Sequence, residues 1–144
     1  MAYLEINGMD ALMDDFSALA HLPYEVVEDI LNAEADVIVP AQRAEIKKQW
    51  NGLYSKGISA KSIKKTDVKI KKSGYCIYVY PQGTRKRGRK RIRNGEIAFI
   101  NEYGVPGRGI APRPAIGTAN AKAEKQAVEA GEKVYHAYLD SKNL

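Results

Sequence analysis

Six of the eleven positions from 104 to 114 are glycine or proline (Gly104, Pro106, Gly107, Gly109, Pro112, Pro114), and no other feature restricts the fold as strongly. Each proline lacks a backbone N–H and fixes φ, and each glycine weakens regular structure, so this stretch suits neither a helix interior nor a central strand. It predicts a stiff, irregular, extended connection over 105–114 that divides the chain.

Beyond it, Ile116, Ala119, Ala123, Ala127, Ala130, Val134 and Tyr138 recur every three or four residues, which predicts a C-terminal helix over 115–140 with one apolar stripe. The stripe is mostly alanine. It permits close approach to a neighbour but buries little area per residue, so a partner subunit is expected to supply part of its stability.

Upstream, Val27, Ile30, Leu31, Ala35, Ile38, Ala41 and Ala44 keep helical spacing over 23–51. Pro23 is tolerated in a first turn, Glu25, Glu28 and Asp29 favour the positive end of the helix dipole, Lys47 and Lys48 the negative end, and Gly52 is a stop. Pro40 lies inside this span and predicts a kink or two successive helices, the kink being preferred. Residues 1–22 read as a short strand and an amphipathic helix carrying Met9, Leu12, Met13, Phe16 and Leu19.

Residues 57–65 are polar and short, with room for one helical turn. A hairpin follows over 66–81: Val68 and Ile70 alternate with charged residues, Ser73-Gly74 turns, and Tyr75 to Tyr80 is aromatic and β-branched. A basic arm occupies 82–95, and 96–104 predicts a two-turn helix capped by Gly104.

A chain of 144 residues with 44% hydrophobic and 28% charged content suits a single folded domain, 1–144, and argues against disorder or a fibrous repeat. No apolar run approaches the ~18 residues that cross a bilayer, and the N-terminus lacks a signal-peptide pattern, so no membrane association or export is expected. One cysteine, Cys76, makes no intrachain disulfide, and His21 and His136 alone assemble no metal cluster. No metal and no cofactor are expected, and a reducing compartment is.

The formal charge is +6, of which Arg85, Lys86, Arg87, Arg89, Lys90, Arg91 and Arg93 supply seven, leaving 6 − 7 = −1 for the rest. The body is neutral and one segment is basic. That segment has four readings: a nucleic-acid contact neutralising phosphates, an import signal, a subunit contact pairing arginines with carboxylates, or a solvated hairpin tip. It contains no aromatic residue to stack on bases.

No catalytic constellation emerges. Ser62-Ile63-Lys64-Lys65 matches a Ser-x-x-Lys pattern without its partner motifs, and Gly104-x-x-Gly107-x-Gly109 lacks the Lys-Ser/Thr of a phosphate loop. Glu25, Glu28 and Asp29 are explained by a helix start, and neither histidine has a partner fixed by spacing. The chain is expected not to be an enzyme.

Val39-Pro40-Ala41-Gln42, Ser55-Lys56-Gly57-Ile58, Ile97-Ala98-Phe99-Ile100-Asn101-Glu102-Tyr103-Gly104 and Ala111-Pro112-Arg113-Pro114-Ala115-Ile116 occur in that order. In order and spacing, over 24–139, they resemble the tailed-phage gene-product-ten-like family. These are siphophage tail-completion or head-to-tail joining proteins, similar to lambdoid minor tail protein Z. In that family an apolar-Glu-aromatic-Gly element precedes a Pro-x-Arg-Pro-aromatic-apolar segment leading into the C-terminal helix; here Ala115 stands at the aromatic position, and the basic arm falls in a variable connection.

The resemblance implies an α+β fold: a small, mainly antiparallel sheet packed against a long N-terminal helix and a C-terminal helix, with an extended basic loop. It implies a non-enzymatic virion protein that forms a homo-oligomeric, sixfold ring at the head–tail interface, assembled in the bacterial host cytoplasm. Its partners would be the tail tube or tail terminator, the head connector and DNA in the channel, and repeated subunit contacts would supply the affinity. Glu102, Tyr103, Gly104, Pro112, Arg113, Pro114 and Ile116 carry the motif. From their chemistry, Glu102 and Arg113 are expected to make an ionic contact with each other or across subunits, against the alternative of simple exposure, and Tyr103 and Ile116 to anchor the core. Arg85, Lys86, Arg87, Arg89, Lys90, Arg91 and Arg93 are the expected subunit, connector or DNA-channel contacts. The alternative function is a basic nucleic-acid-binding accessory protein.

Overall fold

The computed structural model of the chain describes residues 22–51 and 57–143. The strand and helix expected within 1–22, His21, and the Gly52 stop therefore lie outside the described residues, except for Leu22. The architecture is α+β, with a long N-terminal helix packed along a C-terminal helix and short antiparallel strand pairs beside them.

Helix α1 (Tyr24–Gln49) starts directly after Pro23, whose carbonyl accepts from the N–H of Val26 and Val27. It runs through Pro40 as one element rather than two. Pro40 is exposed, and so is Asp36 one turn earlier, whose carbonyl loses its donor to the proline. That carbonyl sits on the side open to water, so the missing bond does not end the helix. Helix α2 (Ile58–Ser62) supplies the single turn, and strand β1 (Ile63–Lys65) follows it.

Strand β2 (Lys69–Lys71) pairs with β3 (Gly74–Cys76), and β1 pairs with β4 (Val79–Pro81). The expected hairpin is thus longer, starting at Ile63, and it carries a register shift. Thr66 N–H donates to the Tyr78 carbonyl, while Lys69 lies opposite Cys76, so Asp67 and Val68 face the single residue Ile77. That extra residue is a bulge, and it divides the ladder in two. Strands β5 (Thr84–Arg87) and β6 (Lys90–Arg93) form a third ladder, so the expected single sheet is three two-stranded ones and the basic loop is a β-ribbon.

Helix α3 (Asn94–Tyr103) ends at Gly104, as its sequence predicts. The following connection makes one 3₁₀ turn at Pro106–Arg108 and a bridge between Val105 and Ile110, and then enters α4 (Ala115–Ser141). Gly104 has φ 70° and ψ 179°, a conformation open to glycine alone. A Cβ there would lie 2.4 Å from the Ile110 carbonyl oxygen and 2.7 Å from the Pro112 nitrogen.

Ala115, Ala119, Ala123, Ala127 and Gly131 form the buried stripe of α4, a four-residue spacing that ends on Gly131 rather than Ala130. Against it α1 buries Ala35, Gln42, Glu45 and Ile46. The small stripe brings the helices close enough for Gln42 Nε2 to donate to Asn120 Oδ1 at 2.9 Å and for Lys122 to pair with the buried Glu45 carboxylate. The Lys122 and Gln49 hydrogen bonds hold the Glu45 carboxyl below the ordinary carboxylate range.

The main hydrophobic cluster lies where α1, α2, β1, α3 and α4 meet: Ile46, Trp50, Ala60, Ile63, Ala98 and Ala115, with Val39, Val79 and Ile116 half-buried around it. The Arg43 guanidinium donates twice to the Ile63 carbonyl, at 2.7 and 3.2 Å, and ties β1 to α1.

Candidate functional site

The basic ribbon turns at Gly88-Arg89. Gly88 has φ 65° and Arg89 does not have a positive φ, the pattern of a two-residue hairpin loop with glycine first. Arg85 faces Ile92 across the ladder, Lys86 faces Arg91, and Arg87 faces Lys90. Two like-charged pairs directly opposite one another are destabilising, and no ion pair among the described residues relieves them.

Arg85 differs from the other six cations. Its Nε donates to Asn94 Oδ1 and its Nη2 to Ser59 Oγ, both at 2.8 Å. Asn94 in turn donates through Nδ2 to the Gln82 carbonyl, so the root of the ribbon is fastened to α2 and α3. Burial, and secondarily the Arg87 charge, pull the Arg85 guanidinium below its ordinary value, though it stays charged in any working range. Lys86, Arg87, Arg89, Lys90, Arg91 and Arg93 are exposed. They are the solvent-facing cations; Arg85 positions them.

The ribbon roots, Gly83 and Arg93, open onto a cleft of about 620 Å³ that Tyr80, Pro81, Glu96 and Phe99 also line. On α3, Phe99 and Tyr103 are 64% and 65% exposed and their rings lie 4.8 Å apart between centroids. An exposed aromatic pair beside a charged ribbon is a surface suited to a partner. Sequence reasoning missed Tyr80 and Phe99 as parts of this surface, and Asn94 as the buried residue that fastens its root. The signal for Phe99 was its phase, one position off the stripe that α3 buries.

The expected core role of Tyr103 is corrected for the same reason. Helix α3 buries Asn94, Ala98 and Glu102 at four-residue intervals, and Tyr103 lies about 100° away from that stripe. Ile116 is half-buried against the core.

The expected Glu102–Arg113 ion pair does not form. Glu102 is buried and accepts from the N–H groups of Ile116, at 2.9 Å, and Gly117, at 2.7 Å. These are unpaired donors of the first turn of α4, which has no side-chain cap of its own. Arg113 binds elsewhere: Nη2 donates to Asn101 Oδ1, Nη1 to the Gln49 carbonyl, and its backbone N–H to the Asn101 carbonyl. Its own carbonyl accepts from Trp50 Nε1 at 2.8 Å. Pro112 and Pro114 are exposed on either side of it. Glu102, Gly104, Arg113 and Ile116 thus converge on one junction of α1, α3 and α4 and hold the connection in place, while Tyr103 faces away from it.

Among the described residues no group of three or more His, Cys, Asp or Glu side chains is placed to hold a metal ion, and no helix is long and apolar enough to cross a membrane. Glu25, Glu28 and Asp29 sit in the first two turns of α1, and His136 lies exposed on α4. Comparison with family models, curated proteins and solved structures gives no match.

Proposed function

We propose that this chain is a structural subunit of a tailed-phage virion that assembles into a ring, completes the tail and joins it to the head connector. The work is binding by shape and charge, without catalysis. The observation that carries this reading is the six exposed cations of the ribbon, none of them in an ion pair among the described residues, beside the exposed Phe99–Tyr103 pair. A ribbon whose own cross-strand pairs repel gains stability when an anionic surface neutralises it. The motif junction supports the same reading, since Glu102, Gly104 and Arg113 set the rigid frame that presents the surface.

Purified protein mixed with isolated tails tests this by electron microscopy. Addition of a ring at the head-proximal tail end supports the joining role; a protein that ignores tails and stays monomeric contradicts it.

The length of the basic ribbon favours one second reading, a nucleic-acid-binding accessory protein contacting duplex phosphates. In that case replacing Arg87, Arg89, Lys90 and Arg91 by alanine would abolish DNA affinity and flatten its salt dependence. Wild-type protein without DNA affinity excludes it.

A further inference from the structure

A second cleft, of about 510 Å³, lies between α1 and α4. Ile38, Ile77, Val79 and Val128 give it an aliphatic lining, Glu34 and Glu124 contribute carboxylates, and among the described residues no Lys, Arg or His lines it. Gln42 also lines it and is 2% exposed; its Nε2 is taken by Asn120, and its Oε1 is buried with no hydrogen-bond partner. A buried acceptor left unpaired carries a desolvation cost that a donor from outside would relieve.

Glu34 is packed closely against α4. It lies over Gly131, where a Cβ would come within 2.5 Å of its Oε1, so glycine in mid-helix makes room for it. Burial raises the Glu34 carboxyl above its ordinary value, and neither Glu34 nor Glu124 has an ion-pair partner among the described residues. The cleft is therefore apolar in its walls and rich in acceptors that lack donors.

The ribbon face has the opposite chemistry, with donors in excess beside aromatic surface. The two faces look away from each other, because successive residues of a strand point to opposite sides: Val79 lines the acidic cleft and Tyr80 the aromatic one. A contact between two different faces of identical chains is heterologous, and it closes into a ring when its rotation permits.

We infer that the basic ribbon of one subunit docks in the α1–α4 cleft of the next copy, its cations meeting Glu34, Glu124 and the Gln42 carbonyl oxygen. This rests on the ring proposed above and names its subunit contact. Arginine and lysine suit the site, since their aliphatic stems cover the cleft walls while their heads reach the acceptors.

Two full-length variants test it: Arg87→Glu, Arg89→Glu, Lys90→Glu and Arg91→Glu combined, which leave three cations against four carboxylates on the ribbon and so make both faces acidic, and Glu34→Lys with Glu124→Lys, basic on both. Each alone should self-associate about 100-fold more weakly than wild type in sedimentation velocity. Mixed in equal amounts they should assemble again, as alternating copies, because every contact is once more between opposite charges. Circular dichroism confirms that each variant is folded. Failure of folded variants to assemble on mixing overturns the contact, as does wild-type-like assembly of either variant alone. If the ribbon variant assembles normally but loses affinity for duplex DNA, the ribbon serves nucleic acid instead and the contact is overturned while the ring stands. If wild type itself forms no assembly, alone or on tails, the ring reading and the contact fall together.

Discussion

The Glu102 carboxylate lies 2.7 Å from the backbone nitrogen of Gly117, so the last turn of α3 caps the first turn of α4 across fourteen residues of chain. Glycine at 117 leaves this approach open, since an added Cβ would sit 3.2 Å from Glu102 Oε1, a tight contact that the carboxylate would have to yield to by a few tenths of an ångström. The proline- and glycine-rich connection is closed by this bond at one end and by the Trp50–Arg113 bond on its flank.

Glu102→Ala leaves the N–H groups of Ile116 and Gly117 without their acceptor and should cost about 1–2 kcal/mol in urea denaturation. Glu102→Gln keeps one acceptor oxygen and should lose about half as much. Equal, near-zero effects for both would mean that water replaces the carboxylate.

Gly104→Ala places a methyl group against the Ile110 and Pro112 backbone and forces a φ that alanine resists. The expected loss is about 2 kcal/mol or more, read from the same denaturation experiment. Gly88→Ala meets nothing within 4 Å and carries only the strain of its φ, so its loss should be smaller.

The arm cations should separate into two kinds. Arg85→Ala breaks bonds to Asn94 and Ser59 and should destabilise the fold by about 1–2 kcal/mol. Arg87→Ala removes an exposed charge opposite Lys90 and should change stability by less than about 0.5 kcal/mol, in either direction. A comparable loss at both positions would contradict the division.

Glu45 gives a pH dependence. Its hydrogen bonds from Lys122 and Gln49 lower its pKa in the fold below the ordinary 4.5, so the stabilisation is fully present above about pH 4.5 and is lost as pH falls through the folded value. Lys122→Met should lower the Tm at neutral pH and converge with wild type in acid. Parallel curves at all pH values would remove Glu45 from the account.

Much of this frame was legible because it is periodic. The three-and-four spacing in α1 and α4, and the Gly104 stop of α3, follow from local rules that the side chains themselves carry. Strand β1 was not legible: three residues with one buried apolar group, Ile63, give no alternation to detect. The ribbon was hidden because lysine and arginine favour strands weakly, and Gly88 with Ile92 supplies its only strand-like signals. The partners of Glu102 and Arg113 are set by tertiary geometry, as α3 turns Glu102 inward toward α4 while Arg113 reaches back to Gln49 and Asn101. Charge type alone suggested a pair that the packing separates.

The most direct test of the central claim is the mass distribution of the full-length wild-type protein across a concentration series, measured by native mass spectrometry. The account predicts one closed oligomer of fixed stoichiometry replacing the monomer, dissolved by high salt as its ionic contacts are screened. A monomer at every concentration that also leaves tails bare would contradict it.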